Sequence, residues 1–365
     1  MTELAELAAR LVAVDSVNPD LIPGGAGEGE VARLVAGWLE RAGLEVTVEE
    51  VAPGRPNVVG VARGRGGGRT LMLNAHMDTV GLGGPDGSLT PRVEGGRLYG
   101  RGSYDMKASL AAIMLASAEC ARRGLRGDVI VTAVADEEVA SLGTEAICRR
   151  WQADAAIVSE PTEERVCIAH KGFVAFEIET RGRAAHGSRP DLGVDAIARM
   201  GHVLLGIEAL DSLLRLGPAH PLLGTGSLHA GLIEGGQEYS SYPGRCLLTG
   251  ERRTIPGEEV EQVERELGAL LGDVEGRVAV TSWRPPLETP ADAEIVQLVL
   301  RHAGQGQAGG VAFWADSALL TAAGIPTVVY GPAGEGAHAE VEWVDVASAE
   351  RCRDVYVAVA ADLCG

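Results

Sequence analysis

Residues 71–79 read LMLNAHMDT. Three apolar residues run into Asn74 and Ala75, and His76 and Asp78 follow, two apart. A short apolar run of this kind is a buried strand. Strand side chains alternate in direction, so this reading puts His76 and Asp78 on one side at the strand's carboxyl end. In open α/β sheets that edge is where ligands bind. A histidine is a common metal ligand whose second nitrogen needs an oriented acceptor, and Asp78 can supply it. HMD by itself is also what a capped strand end with a hydrogen-bonded histidine looks like. The rest of the chain decides between the two.

Upstream, residues 2–14 and 28–42 carry apolar positions at helical spacing, and Gly43 follows as a C′ stop. Residues 44–51 and 57–63 alternate as strands, and the RGRGGGR stretch after them reads as a hairpin loop. Downstream, LYGRGSYDMK (98–107) opens a helix over 108–123, and Asp105 sits where the loop turns into it. A helix-capping aspartate explains such a residue, although the glycines and Arg101 before it suggest a constrained approach. Residues 128–135 form a further buried strand ending in Asp136, Glu137 and Glu138. Three adjacent acids there are costly unless something positive sits beside them. Residues 155–159 are an apolar strand ending in Glu160, and 166–170 another, leading to Lys171. Alternating strands and helices of this sort make an α/β domain.

The pattern changes at Phe173. Strands over 173–180, 227–234, 245–253 and 277–283, with helices over 194–210 and 258–271, give the βαββαβ order of a ferredoxin-like fold. Residues 173–284 are therefore read as an inserted domain, and 1–172 with 285–365 as the domain it interrupts. The returning segment supplies a strand at 327–330, a glycine loop with His338 and a last helix.

At 365 residues the chain is long enough for two domains. Its formal charge of −19 argues against nucleic acid, which needs clustered Lys and Arg. No stretch approaches the roughly 18–20 apolar residues that span a bilayer, and MTELAELAARLVAVDS does not read as a secretory signal. Cys120, Cys148, Cys167, Cys246, Cys352 and Cys364 are scattered, without a CxxC pair, as in a reduced cytoplasmic protein.

His76, the Glu137/Glu138 pair, Glu160 and His338 each follow an apolar run, and Asp105 opens a helix. Oxygen and nitrogen donors with no cysteine suit a zinc-like ion or a pair of them. Asp105, Glu138 and Glu160 with a bound hydroxide would balance two divalent charges.

Taken together, NAHMDTV (74–80), YGRGSYDMK (99–107), DEE (136–138), SEPT (159–162), HKG (170–172), AAHGSRPDLG (184–193) and GPAGEGAHAEVE (331–342) resemble the M20 family of co-catalytic zinc amidohydrolases. That family includes acetylornithine deacetylase, succinyl-diaminopimelate desuccinylase, aminoacylase and glutamate carboxypeptidase. The resemblance implies a zinc-peptidase-like three-layer αβα catalytic domain and an inserted ferredoxin-like α+β lid that also dimerises. It implies two zinc ions per chain, with cobalt or manganese able to substitute. His76 and Glu160 would bind one, Glu138 and His338 the other, and Asp105 both, with a cis peptide often following it. Asp78 would orient His76, and Glu137 would be the general base. His186 would polarise the scissile carbonyl, often across the dimer, and Arg253 would hold a substrate carboxylate. The chain departs from the family at Ser240, where many members have Asn, at Ala108 after Lys107, and at FWADSALL (313–320). His170, His202, His220, His229 and His302 read as structural.

The expected reaction is metal-assisted hydrolysis of an N-acyl amino acid or short peptide. A dipeptidase or carboxypeptidase is the near alternative, and a non-catalytic amino-acid-binding protein the remote one. The presence of Glu137 speaks against the last.

Overall fold

In the computed structural model, which describes residues 1–83 and 89–365, Leu71–His76 is a strand with every residue buried. Val129–Val134 and Ala155–Val158 flank it, both parallel. The sheet runs in the order Glu45–Ala52, Arg55–Ala62, Val129–Val134, Leu71–His76, Ala155–Val158, Thr327–Val329, Cys167–His170, Leu287–Glu288. Thr327–Val329 continues the parallel centre, whereas Glu45–Ala52 and Arg55–Ala62 are antiparallel additions at the edge.

Alternation along these strands makes the layers. Leu71, Leu73, Ala75, Val129, Val131, Ala133, Ala155 and Ile157 share one core with the helices Glu3–Val12, Gly29–Arg41, Ala108–Arg123, Glu294–His302 and Val346–Cys364. Met72, Ile130, Val134, Ala156 and Val158 face the other way, onto Ile147 of Leu142–Arg150 and Leu320 of Ser317–Ala322. The strands are apolar throughout because both faces are covered. The α/β reading holds. Gly43, at φ 87°, follows the Gly29–Arg41 helix as expected.

The glycine-rich stretch after Arg55–Ala62 is not a hairpin. Val129–Val134 lies between that strand and Leu71–His76, so residues 63–70 cross over its start. Arg65 and Gly66 donate their N–H groups to the carbonyls of Leu125 and Arg126. A Cβ on Gly64 or Gly68 would meet that backbone at 2.3 or 2.2 Å, so the glycines serve close packing.

The chain divides into two compact units: Met1–Ile168 with Thr289–Gly310 and Ala315–Gly365, and Ala169–Glu288 with Val311–Trp314. In the second, Ser227–Gly235, Arg245–Thr254, Gly172–Arg181 and Gly276–Arg284 form an antiparallel sheet in that order. Numbered along the chain this is 2-3-1-4, the ferredoxin-like arrangement. Val174, Phe176, Ile178 and Leu248 pack on Met200 and Val203 of the Ala196–Leu216 helix and Val263 and Leu267 of Val260–Ala269.

Two adjacent arginines of this unit have opposite surroundings. Arg252 is wholly buried, donating to Glu258 Oε1 at 2.5 Å and Glu266 Oε2 at 3.3 Å. The Arg253 side chain is 31% exposed, paired with Glu251 at 2.6 Å and lying over Phe173. Breaking a buried pair leaves a carboxylate without its cation and costs about 3–5 kcal/mol, while surface changes stay within about 0.5–1 kcal/mol. Arg252→Met is expected to lower the urea midpoint of this unit accordingly, and Arg253→Met to leave it nearly unchanged. Equal losses in the two variants would contradict the assignment.

Candidate metal centre

The Leu71–His76 strand ends at its histidine, and Asp78 lies beyond the regular pleat. The two side chains therefore do not simply share a strand face. His76 Nδ1 is 2.9 Å from the backbone carbonyl of Asp78 and 3.6 Å from its Oδ1. The carbonyl fixes the proton on Nδ1 and leaves Nε2 as the ligating nitrogen. The Asp78 carboxylate is otherwise engaged. Oδ1 accepts the Glu137 N–H at 3.1 Å, and Oδ2 accepts the Glu138 N–H at 3.1 Å and Asn18 Nδ2 at 2.8 Å. Asp78 thus ties the histidine to the acidic turn as well as orienting it.

Asp105 is not a helix cap. Its φ and ψ are −116° and 92°, the Asp105–Met106 peptide is cis, and the helix starts at Ala108 with Lys107 as its cap residue. What holds this loop is Glu342. Its Oε1 accepts the N–H groups of Tyr104 and Asp105 at 2.8 and 2.9 Å, and its Oε2 accepts the Gly102 N–H at 2.9 Å and Arg101 at 2.7 Å. Arg101 also donates to the carbonyls of Gly81 and Ala339. One buried ion pair therefore ties together the loops that follow Asp78, precede Asp105 and carry His338. Trp343–Asp345 pairs with Arg97–Tyr99 in a small sheet and sets that register. Gly102, at φ 76°, is required there, since a Cβ would lie 2.7 Å from Thr79 Cγ2.

After Val129–Val134 the chain reverses at Asp136, which has φ 69°. Ala140 and Ser141 donate back to its carbonyl, so Glu137 and Glu138 sit in a turn, not on an extended strand. The positive partner of this acidic run is Arg55, 2.9 Å from Asp136 and 2.5 Å from Glu28. Nothing in the pattern of residues 44–63 marked Arg55 for that role, nor Glu28 or Asn18. Each is distant in sequence from the acids it meets, and only the strand order joins them.

Five of the expected side chains converge. His76 Nε2 lies 3.0 Å from Asp105 Oδ1 and 3.7 Å from Glu160 Oε1. His338 Nε2 lies 3.1 Å from Glu138 Oε2 and 3.4 Å from Asp105 Oδ2. Two ligand groups result, His76–Asp105–Glu160 and Asp105–Glu138–His338, with the donor atoms in each all within 4.8 Å of one another. Asp105 belongs to both, one oxygen to each histidine, and Glu137 belongs to neither.

The electrostatics show a site with too little positive charge. Burial pushes the carboxyls of Glu137 and Glu160 well up, and the neighbouring acids add to this against the charge of His76. Burial also raises Glu138, against the hydrogen bond from His338. The hydrogen bonds of His338 to Asp105 and Glu138 push its imidazole up to about 10. Burial opposes a charge on His76, but Asp105 and Glu160 outweigh it and its pKa also rises. Asp316 is a further buried acid, raised to about 6 by burial, and its charge bears on Glu137 and Glu160. Carboxyls and imidazoles gathered this closely favour a bound cation, which would let the acids ionise. Glu138 Oε1 is buried with no hydrogen-bond donor. A divalent ion among these oxygen and nitrogen donors meets both needs, so the residues fit a metal.

The remaining expected residues belong to the second unit. Ala185–His186 pairs with Ser241–Tyr242, and His186 is exposed. Its Nδ1 accepts the Ser188 N–H at 3.2 Å and lies 2.8 Å from Ser188 Oγ. An acceptor at Nδ1 puts the proton of the neutral ring on Nε2. Ser240 donates its hydroxyl to Glu238 at 2.5 Å, and its carbonyl accepts the Gly187 N–H. His170 bonds to the carbonyl of Lys171, His302 to Asp362 and His220 to Glu288.

The model of Peptidase family M20/M25/M40 matches residues 72–362. An acetylornithine deacetylase of Myxococcus xanthus is 31% identical over 348 residues, 90% of this chain and 87% of that one. An aminopeptidase, PepT, of Bacillus cereus has the same fold at TM-score 0.81 and 19% identity, covering 99% of this chain and 98% of that one. The YXEP protein of Bacillus subtilis, described as a dinuclear metal-binding peptidase from the M20 family, follows at TM-score 0.76 and 15% identity over 99% and 97%. With four-fifths of its length inside that match and the ligand-bearing loops where these residues require them, the chain belongs to Peptidase family M20/M25/M40.

Proposed function

We propose that the chain catalyses metal-dependent hydrolysis of the amide bond in an N-acyl amino acid, with two zinc ions as its metal. The observation that carries this is the division of labour among the acids. Two ligand groups share Asp105, and Glu137 stands beside them without belonging to either. A pair of divalent ions bound there would supply an acidified water and a polarised carbonyl oxygen.

The chain's own residues do the rest. Glu137 takes the proton of the attacking water and returns it to the leaving nitrogen. Burial and Glu160 hold its carboxyl up, which makes it a stronger base and still able to give the proton back. His186, protonated on Nε2, donates to the carbonyl oxygen as negative charge develops there. Arg253 takes the substrate carboxylate in a two-pronged contact. Asp78 keeps His76 and the amides of Glu137 and Glu138 in register.

An acyl amino acid is favoured over a peptide because relatives at 31% and 29% identity are acetylornithine deacetylases. A dipeptidase or carboxypeptidase is the second reading, favoured by the fold likeness to peptidases. We read the assembly as a homodimer through the second unit. Its support is apolar surface left in water: Leu205, Leu213 and Leu216 are 66, 65 and 86% exposed, and Leu232 on the edge strand Ser227–Gly235 is 75% exposed. Among the described residues no helix is long and apolar enough to cross a membrane. The cytoplasmic location we propose rests on six free cysteines, five of them buried.

A hydrolysis screen of zinc-loaded protein against N-acetyl, N-succinyl and dipeptide substrates should find turnover in the N-acyl group. Exclusive cleavage of dipeptides would install the second reading, and binding without turnover of any amide would refute hydrolysis. Elemental analysis should approach two metal ions per chain, and a stable value of zero with no activation by zinc, cobalt or manganese would sink the site. Glu137→Ala is expected to keep both metals and lose about 10²–10⁴-fold in kcat. Glu138→Ala should lose one metal together with activity. Zinc content beside kcat for each variant decides, and the reverse pattern would swap the two roles.

A further inference from the structure

The turn that carries Glu137 is held by residues to which the mechanism above gives no part. Asp136 sits at φ 69°, a left-handed region that a non-glycine residue occupies at a cost. Hydrogen bonds to its side chain and to both of its backbone groups hold it there, the Ser141 N–H among them at 2.5 Å. Its Oδ1 accepts Arg55 at 2.9 Å and Asn18 Nδ2 at 3.0 Å. Its N–H donates to Glu28 Oε1 at 3.1 Å, and its carbonyl accepts the Ala140 N–H at 3.1 Å. Asn18, Glu28, Arg55 and Asp136 are all buried.

Asn18 reaches further. The same Nδ2 donates to Asp78 Oδ2 at 2.8 Å, so its two hydrogens bridge Asp136 and Asp78. Asp78 in turn accepts the amides of Glu137 and Glu138. The peptide group on each side of Glu137 is therefore tied to a carboxylate that Asn18 also holds. Arg55 supplies the positive charge that pairs with the buried Asp136 carboxylate.

We propose that Asp136 and Asn18 are positioning residues for Glu137, with Arg55 as their anchor: they fix the reversed turn that aims its carboxylate beside the two ligand groups, and so set the rate of proton transfer without setting metal affinity. The proposal rests on the reading of Glu137 as general base. A base moved by about 1 Å loses on the order of 10²-fold in rate, whereas a ligand held by its own contacts does not follow it. Glu138 has such a contact in His338 at 3.1 Å.

The test uses the full chain, zinc-loaded, on the best-cleaved amide of the N-acetyl, N-succinyl and dipeptide panel. It compares Asp136→Gly, Asp136→Asn, Asn18→Ala and Glu137→Gln. Glycine keeps the left-handed backbone and removes the anchor, while asparagine keeps both. Asp136→Gly should lose about 10–100-fold in kcat, with KM within about twofold. Metal per chain and the visible spectrum of the cobalt-substituted protein should stay as in the wild type. Asp136→Asn should recover most of the rate, since its Oδ1 still accepts from Arg55 and Asn18. Asn18→Ala should fall between the two. Wild-type kcat in Asp136→Gly, equal losses in the Gly and Asn variants, or metal lost in step with rate would each overturn the proposal. A wild-type rate in Glu137→Gln would overturn the general-base reading and this proposal with it. A slow Glu137→Gln beside a fast Asp136→Gly would overturn the positioning role alone.

Discussion

Arg55 lies buried between Glu28 and Asp136 and reaches outward to Asp20. Around this guanidinium the acidic end of the sheet can exist at all. Carboxylates from distant segments meet at the carboxyl edge of the central strands, and each must be paired or receive hydrogen bonds. Glu28 Oε1 and Oε2 both receive Arg55, and Asp136 shares it with Asn18. With that charge neutralised, the next two acids in the chain are free to serve the site. The fold thus sorts its acids by partner: those facing Arg55 and Arg101 are structural, and those facing only imidazoles are the candidates for a metal.

Glu342 and Glu138 show the sorting most directly. Both are buried glutamates whose carboxyls burial raises. Glu342 meets three backbone N–H groups and Arg101, so its oxygens are satisfied and it acts as a brace. Glu138 meets His338 through one oxygen and leaves the other without a donor. Nothing in the residue type separates them. The difference is the supply of donors, set by which loops the small sheet of Arg97–Tyr99 and Trp343–Asp345 brings together.

That is also why the sequence was legible in some places and silent in others. Strand and helix bounds followed hydrophobic period closely, as in the Ala108–Arg123 helix and the Val129–Val134 strand. The five metal-binding candidates were visible because each follows an apolar run or precedes a helix in the sequence. Their neighbours were not. Asn18, Glu28 and Arg55 lie in stretches whose local pattern is fully accounted for by turn, helix start and strand. The glycine-rich 63–69 stretch was misread as a hairpin because local turn chemistry carries no information about a third strand inserted from 60 residues later. Glu137 and Glu138 were expected on an extended chain, and the left-handed Asp136 that turns them was not visible, since aspartate enters that region only when its surroundings demand it.

The N-terminal segment makes the same point from the other side. By period the helix runs over residues 2–14; in the structure it ends at Val12, and the residues after it are built into the site's supports. Val17 bridges Thr79 in parallel, Ser16 donates to the Met77 carbonyl, and Asn18 takes the Thr79 carbonyl with its backbone N–H. Lys107, buried directly after the Asp105 loop, donates to the Val14 carbonyl at 2.7 Å. Burial lowers its pKa to about 8, against the pull of Asp15, Glu342 and Asp78. A buried lysine costs free energy unless its ammonium is well placed, and here it closes the gap between the first helix and the loop that holds the shared ligand. The segment 14–18 therefore acts as one more strand of support beneath the acids. Val14 and Val17 keep it on the apolar core, while Asn18 is polar because what it meets is the charge of Asp78 and Asp136.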